Sequence, residues 1–499
     1  MTTANDSKGL GTMIGINRRL WVQVAVATCG ILVIAACGQK PGVSEQSAAA
    51  IGTQLSLPEG TALDEEGNLV DVETGEVIAT AEELAEGGVD LGSGGSGPAD
   101  SDLGDSGTGP DPSAPQGGTS PSASGDSTGV TDDVVKIGVH APITGAAPVP
   151  SDSAHKGTQL YWRWLEEKGE KIFGRRVEVI LKNDNYNPSQ AVAVCREMVE
   201  QDKVFLLSGA AGTDQIQACA RYAASVGVPY LGAGVTELGL DNLRNYFATS
   251  MSYPAQQTLI AQLLKNRLGA SNEKNGIVWF NTATFKDGHD AFIKTMKQHG
   301  LSVDYDRAVS KTAGASEAQT IATELNQQGI DNVNVLMAPV FFLQMLNAAG
   351  TQGYQPQWVG AGIQMTFDTV AQVGCRNGAL DGAKMFSPFP GWVDSNKFDP
   401  NFRKAVQQIY PEKREGDDFM WLGWSGSKTF HEMLKKAGPT PTREAFILML
   451  EGSKFFNGIG PHLSFTETDH FGADEVHLSE AKCGQDQRWH TIDTWMKRF

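Results

Sequence analysis

The chain has 499 residues, 40% of them hydrophobic, with 40 Lys and Arg against 58 Asp and Glu and a formal net charge of −18. That length can bury more than one core, while the lack of any basic excess argues against a nucleic-acid partner, whose phosphates need clustered positive charge. Between Pro41 and Gly129 lie 17 acidic residues and no Lys or Arg, so the rest of the chain is close to neutral.

At the start, Lys8, Arg18 and Arg19 precede an apolar run from Leu20 to Ala36, and two small residues, Ala35 and Ala36, stand directly before Cys37. This is the layout of an export signal. The run is shorter than the roughly 20 residues a bilayer helix needs, and it carries Gln23. Ile34-Ala35-Ala36-Cys37 resembles the lipobox of bacterial lipoproteins, which implies removal of residues 1–36 and a lipid on Cys37 that holds the protein on the outer side of a cell membrane. Either Met1 or Met13 serves as the start in this reading.

Residues 37–132 read as an acidic tether. From 87 to 129 the chain is Gly, Ser, Pro and Asp with almost no large apolar side chain, too little to offset chain entropy. Ile51 to Glu86 has scattered Leu and Val and is assigned no stable fold. As a flexible coil the whole stretch spans about 50 Å root-mean-square.

From about Val134 strand-like runs alternate with amphipathic helical segments. VVKIGVHA reads as a strand, and the next segment sets Leu160, Tyr161, Trp164 and Leu165 on one helical stripe. RRVEVILKND is a second strand, followed by a helix that Asn187 caps and Pro188 opens. The cycle recurs through VFLLSG, PYLGAG, NGIVWF and VNVLMAP, with helices between them. Such alternation implies right-handed crossovers and parallel sheets covered on both faces. The length calls for two α/β lobes.

In open parallel sheets, ligands bind beyond the carboxyl ends of the strands. The loops at those ends carry Thr144, Ala211, Thr213, Gly234 and Thr236, and their glycines expose backbone N–H groups near helix N-termini. That combination suits a small carboxylate, although each Thr is equally a candidate helix cap.

KIGVHAPITGAA, the run from Gly174 to Thr213, GVPYLGAGVTE and FFNGIGPHLSF together resemble the branched-chain amino-acid binding proteins, with the type I periplasmic-binding fold of ABC importers. The similarity implies two doubly wound parallel-sheet lobes joined by three hinge crossovers, over residues 133–499. Lobe 1 is expected at about 133–252 and 383–460, lobe 2 at about 253–382 and 461–499. It implies that Thr213 and Thr236 hold a ligand carboxylate, that Gly234 supplies backbone groups, and that Phe285 covers the ligand with Phe341 nearby. The acidic residue that holds the ammonium group in amino-acid binders aligns with Gly362, a departure that puts a plain amino acid in doubt. Glu237 and Asp287 are read as surface charges. Hinge closure around a solute then presents a closed shape to an ABC permease and its ATPase, with the binding protein itself a monomer and without a cofactor. A receptor ectodomain that signals to a membrane partner is the alternative, which fold alone cannot separate.

Besides Cys37 and Cys29, four cysteines remain, and an even number in an exported chain suggests disulfides. Four permit three connectivities. The expected arrangement joins Cys195 to Cys219, whose predicted helices are neighbours, and Cys375 to Cys483. No CxxC zinc spacing, phosphate loop, HExxH pair or GxSxG elbow occurs, and His140, His155 and His289 lack spaced partners, so the sequence points to no metal site and no enzyme. Trp421 and Trp424, three apart on a predicted helix, are expected in the core or the cleft floor.

Overall fold

The computed structural model describes residues 61–63, 69–71 and 77–79, and residues 125–497 apart from 146, 210, 233–239 and 241–242. The chain divides into two compact units, Met1–Gln116 and Gly117–Phe499. In the first, β1 (Thr61–Leu63), β2 (Leu69–Asp71) and β3 (Val77–Ala79) pair antiparallel in that order. These strands lie in the stretch for which the sequence gives no stable fold; each is only three residues long, with one or two of Leu, Val and Ile among acidic neighbours, too short for a periodic signal. The Cys37 lipidation expectation falls outside the described residues.

The second unit holds two parallel-sheet lobes. In the first lobe, β4 (Val134–Ala141), β5 (Arg176–Asn183), β6 (Leu206–Gly209), β7 (Tyr230–Gly232) and β8 (Tyr246–Ala248) form an all-parallel sheet ordered β5-β4-β6-β7-β8. The crossovers are α1 (Ser151–Glu167), α2 (Pro188–Glu200) and α3 (Thr213–Ser225). The α1 stripe expected from sequence is buried, and Trp162 is buried with it. Asn187 caps α2 by accepting from the Gln190 amide at 3.0 Å, with Pro188 at the first turn.

The second lobe runs from α4 (Tyr253–Leu263) through β9 (Asn275–Phe280), α5 (Ala283–Gln298), β10 (Tyr305–Val309), α6 (Ala315–Gln328), β11 (Asn332–Leu336), α7 (Pro339–Thr351), β12 (Gln357–Ala361), α8 (Asp368–Gly374) and β13 (Lys384–Ser387). The chain then returns to the first lobe for α9 (Asn401–Ile409), α10 (Asp418–Ala437) and α11 (Arg443–Glu451), and for the short hairpin of β14 (Lys454–Phe455) and β15 (Leu463–Ser464). It ends in the second lobe with β16 (Val476–Lys482) and β17 (Arg488–Met496). The sheet order there is β10-β9-β11-β12-β13-β16-β17, in which β16 alone runs antiparallel to its neighbours β13 and β17.

The lobe boundaries differ from expectation in two places. Lys384 to Phe386 pair in parallel with Val359 to Ala361, so the second crossing follows Ser387 rather than residue 382. Leu463, Phe465 and Ala473 pack in the first lobe's core while Val476 opens β16 of the second sheet, which moves the third crossing past 461. The body also begins earlier than 133. Buried Arg443 bonds the Val204 carbonyl at 2.7 Å and pairs with Asp126, and the Ser127 hydroxyl donates to the Pro441 carbonyl at 3.0 Å.

Helices α1 and α10 cross at two glycines. A Cβ on Gly423 would lie 2.4 Å from the Gly157 backbone, and one on Gly157 would lie 2.7 Å from the Phe419 carbonyl, so only glycine permits this approach. Trp421 and Trp424 are fully buried on α10, as core residues. Their indole N–H groups donate to the Pro390 carbonyl and to Asp399 Oδ2, each at 3.0 Å.

The lobes touch where α8 meets α10. The Asp368 amide donates to Asp418 Oδ2 at 2.9 Å, and Phe367 meets Phe419 edge-on with centroids 4.5 Å apart. Burial, and then the charge of Asp368, push the Asp418 carboxyl well above the ordinary carboxylate range. Among the described residues, no helix is long and apolar enough to cross a membrane.

Both expected disulfides are present, Cys195–Cys219 and Cys375–Cys483, with sequence separations of 24 and 108. Chain-entropy scaling assigns about 3.5 kcal/mol to the shorter loop and about 4.8 kcal/mol to the longer. Denaturant titration of Cys195→Ser/Cys219→Ser and Cys375→Ser/Cys483→Ser should therefore show the larger loss in the second pair. For Asp418, a raised folded-state pKa means that its stabilising contribution is complete below the unfolded value near 3.8 and is lost as pH rises toward the folded value. Asp418→Asn, which keeps the acceptor, should gain stability over the parent as pH climbs from about 4 to about 8. A constant difference across that range would refute the assignment.

Candidate functional site

The parallel strands that precede helices in both sheets direct their carboxyl ends toward one cleft. Its lining includes Tyr186, Ala211, Gly212 and Thr213 from the first lobe, and Tyr253, Phe285, Met337, Pro339, Gly362, Gln364 and Met365 from the second. The cleft encloses about 480 Å³, counted with space open to solvent.

On the first-lobe side, α3 begins at Thr213, and Gly212 precedes it at φ +85°, a conformation that favours glycine. Gly212 is the cap and the helix has no side-chain cap bond, so the Thr213 hydroxyl is not committed to capping. It makes only a long bond, 3.4 Å, to Asp214 Oδ1. The N-terminus of α3 thus brings its first-turn N–H groups and partial positive charge to the cleft.

Tyr186 arrives by a costlier route. Asn185 and Tyr186 both have left-handed backbones, at φ +54° and +56°, a conformation that costs free energy outside glycine and persists only when neighbours enforce it. Asn183 Oδ1 accepts from the amides of Ile143, Thr144 and Asn185, while Asp184 Oδ1 accepts from the Tyr186 amide at 2.9 Å. Gly145 allows the two loops to touch, since a Cβ there would lie 2.1 Å from the Asn185 carbonyl. Below them, Asp184 Oδ2 is bonded to His140 Nδ1 and His140 Nε2 to the Tyr230 hydroxyl, each at 2.7 Å, all three residues fully buried. Both nitrogens of His140 are engaged in this chain, and the nearby sulfurs of Cys195 and Cys219 are bonded to each other.

The second-lobe wall is aromatic and sulfur-bearing. Thr282 caps α5 by accepting from the Phe285 amide, which fixes Phe285 at the cleft edge. Tyr253, where α4 leaves the first crossing, packs edge-on against Phe285 with centroids 5.0 Å apart. Gly362 follows β12 at φ +135°, open to glycine alone. Burial, with a smaller contribution from Asp214 and Asp184, pushes the Tyr186 phenol up to about 12, so it stays protonated and able to donate. Among the described residues lining the cleft, none is charged. Across its outer edge, Lys311 of the second lobe pairs with Asp214 of the first.

Of the residues expected at the site, Ala211, Thr213, Phe285 and Gly362 line one cleft. Thr144 does not join them: its hydroxyl and amide are bonded to Asn185 and Asn183, and it buttresses the loop of Tyr186. Phe341 is buried behind the wall against Phe280, with centroids 5.6 Å apart. Gly234, Thr236 and Glu237 lie outside the described residues. Asp287 is exposed. Tyr186, Tyr253, Gln364 and Met337 were not singled out from the sequence. The Asn-Asp-Asn-Tyr-Asn run was the available signal for the first, because Asn tolerates left-handed turns. Asn183→Ala should release the loop and weaken any cleft ligand several-fold in calorimetry while leaving the melting temperature within a few degrees, because the buried Asp184–His140 bond remains.

Two α/β lobes joined by three crossings around a shared cleft are the class defined by this geometry. The chain matches the periplasmic binding protein family over residues 134–487 and belongs to it. Solved structures with the same type I fold include a solute-binding protein of an ABC transporter from R. palustris in complex with benzoate, at 18% identity and TM-score 0.60, covering 73% of this chain and 97% of that one. A fatty acid ABC transporter substrate-binding protein from Thermomonospora curvata is 18% identical with TM-score 0.63, covering 74% of this chain and 94% of that one. A branched-chain amino acid transporter substrate-binding protein from Streptococcus pneumoniae, in complex with isoleucine, is 18% identical with TM-score 0.60, covering 72% and 100%. No curated protein matches the chain.

Proposed function

We propose that this chain captures a small monocarboxylate with an apolar body and delivers it to a permease–ATPase complex, as the lipid-anchored solute-binding part of an importer. The observation that carries the reading is the chemistry of the cleft. A helix N-terminus, the Thr213 hydroxyl and a protonated Tyr186 offer donors on one side, and Tyr253, Phe285, Met337 and Met365 offer an apolar wall on the other. Such donors suit one negative group. A free α-amino acid also brings an ammonium group, whose burial without an anionic partner is unfavourable. The described lining supplies none. The benzoate, fatty acid and isoleucine of the three relatives share a carboxylate on an apolar body, and differ in whether a cationic group accompanies it.

Thermal-shift measurements on the Cys37→Ser chain should show stabilisation by benzoate or 3-methylpentanoate, amounting to about 2.7 kcal/mol at a hundred times the dissociation constant. Isoleucine, which differs from 3-methylpentanoate by its ammonium group, should stabilise less; the reverse order would defeat the proposal. Thr213→Ala should weaken binding by about 1–3 kcal/mol, the range for a lost bond to a charged group. Cys37→Ser should also move the protein from the membrane to the soluble fraction, and retention would count against lipid anchoring.

A further inference from the structure

Within the first lobe lies a second space, between the β4–β5–β6 sheet and the helix pair α1 and α10. Its walls are almost wholly apolar, and it encloses about 730 Å³ counted with space open to solvent. Along α1 it is lined by Ala154, Thr158 and Trp162, one residue per turn over about 12 Å, and along α10 it extends from Phe419 to Phe430, about 16 Å. The space is therefore a slot parallel to the helices. Its helical wall includes Gly426, in mid-helix, where a Cβ would meet nothing within 4 Å. Alanine would favour the helix at that position, and protein cores normally close such gaps.

At Leu422, Gly426 and Phe430 the slot shares its wall with a more polar chamber, lined by residues of the first two crossings, Ser250 and Pro388 among them, and by Pro461. Two donors stand without partners here. Trp162, whose Nε1 lacks a partner, lines the slot, and Ser250, whose Oγ lacks one, lines the polar chamber; the two residues are 4% and 1% exposed. A buried donor with no acceptor is unfavourable and calls for one. No charged side chain lines either space.

We infer that these two spaces form a binding site, separate from the cleft, for a single-chain uncharged amphiphile. Its alkyl chain lies in the slot, and its hydroxyl, ester or amide head lies in the polar chamber beside Ser250. An anionic head would be buried there without a counter-charge, which selects against it.

Calorimetry of the full chain carrying Cys37→Ser, with octan-1-ol and octanoate as probes, tests the site. Octan-1-ol should bind at one site per chain, and octanoate at least tenfold more weakly. Gly426→Phe, which fills the slot, should abolish octan-1-ol binding without altering the thermal shift produced by benzoate or 3-methylpentanoate, the probes of the cleft. Gly426→Leu serves if the larger side chain prevents folding, and should weaken the alcohol at least tenfold. Thr213→Ala should leave octan-1-ol affinity unchanged. The inference is overturned if the parent chain shows no saturable octan-1-ol binding, if the Gly426 variants bind it as the parent does, if Thr213→Ala abolishes it, or if octanoate binds more tightly.

Discussion

Two parallel sheets can aim their carboxyl ends at one cleft only if the polypeptide passes between them, and here it passes at three places: after Ala248, after Ser387 and before Val476. Much else follows from that constraint. The helix N-termini of both lobes converge, because a right-handed strand–helix–strand unit starts its helix where its strand ends. Neither lobe is a continuous stretch of sequence, so a displacement in one is felt at crossings far apart in the chain. The contact of Asp368 with Asp418 and the pairing of Lys311 with Asp214 bridge the lobes away from the crossings themselves.

The cleft places its electrostatic burden out of the ligand's path. Charge is present nearby, in Asp184, Asp214 and Lys311, but each carboxylate is already engaged. What remains at the surface of the cleft is dipolar: a helix end, three hydroxyl-bearing side chains and an amide. The buried hydrogen bonds from Tyr230 through His140 to Asp184 hold two unfavourable backbone conformations in place, an arrangement that fixes geometry without adding net charge at the mouth.

What could be read from the residues was what depends on near neighbours. The strand VVKIGVHA, the α1 stripe and the Asn187-Pro188 start are set within a few positions by periodicity and capping, and they stand where the pattern put them. The disulfides were also legible, given the neighbouring helices and the four available cysteines. The rest depended on distant contacts. Lys384–Ser387 is a strand of the second lobe because Val359–Ala361 lies beside it, and nothing within the segment says so. Phe341 points into the core because Phe280 is there, although its position in the chain suggested the cleft. Tyr186 escaped notice because a left-handed tyrosine is adopted only under outside compulsion.

The antiparallel pair β16–β17 closes the second sheet on β13 with residues from the far end of the described chain. A polypeptide that emerges from a ribosome or a translocation pore with its amino end first must keep β13 as an unpaired edge until those residues appear. Cys195 can meet Cys219 while synthesis is still under way, but Cys375 must wait for Cys483. The first lobe, too, receives α10 and α11 only after most of its partner has been made. Nascent intermediates of this protein therefore carry an open sheet edge for much of their emergence, the period in which chaperones would have most to protect.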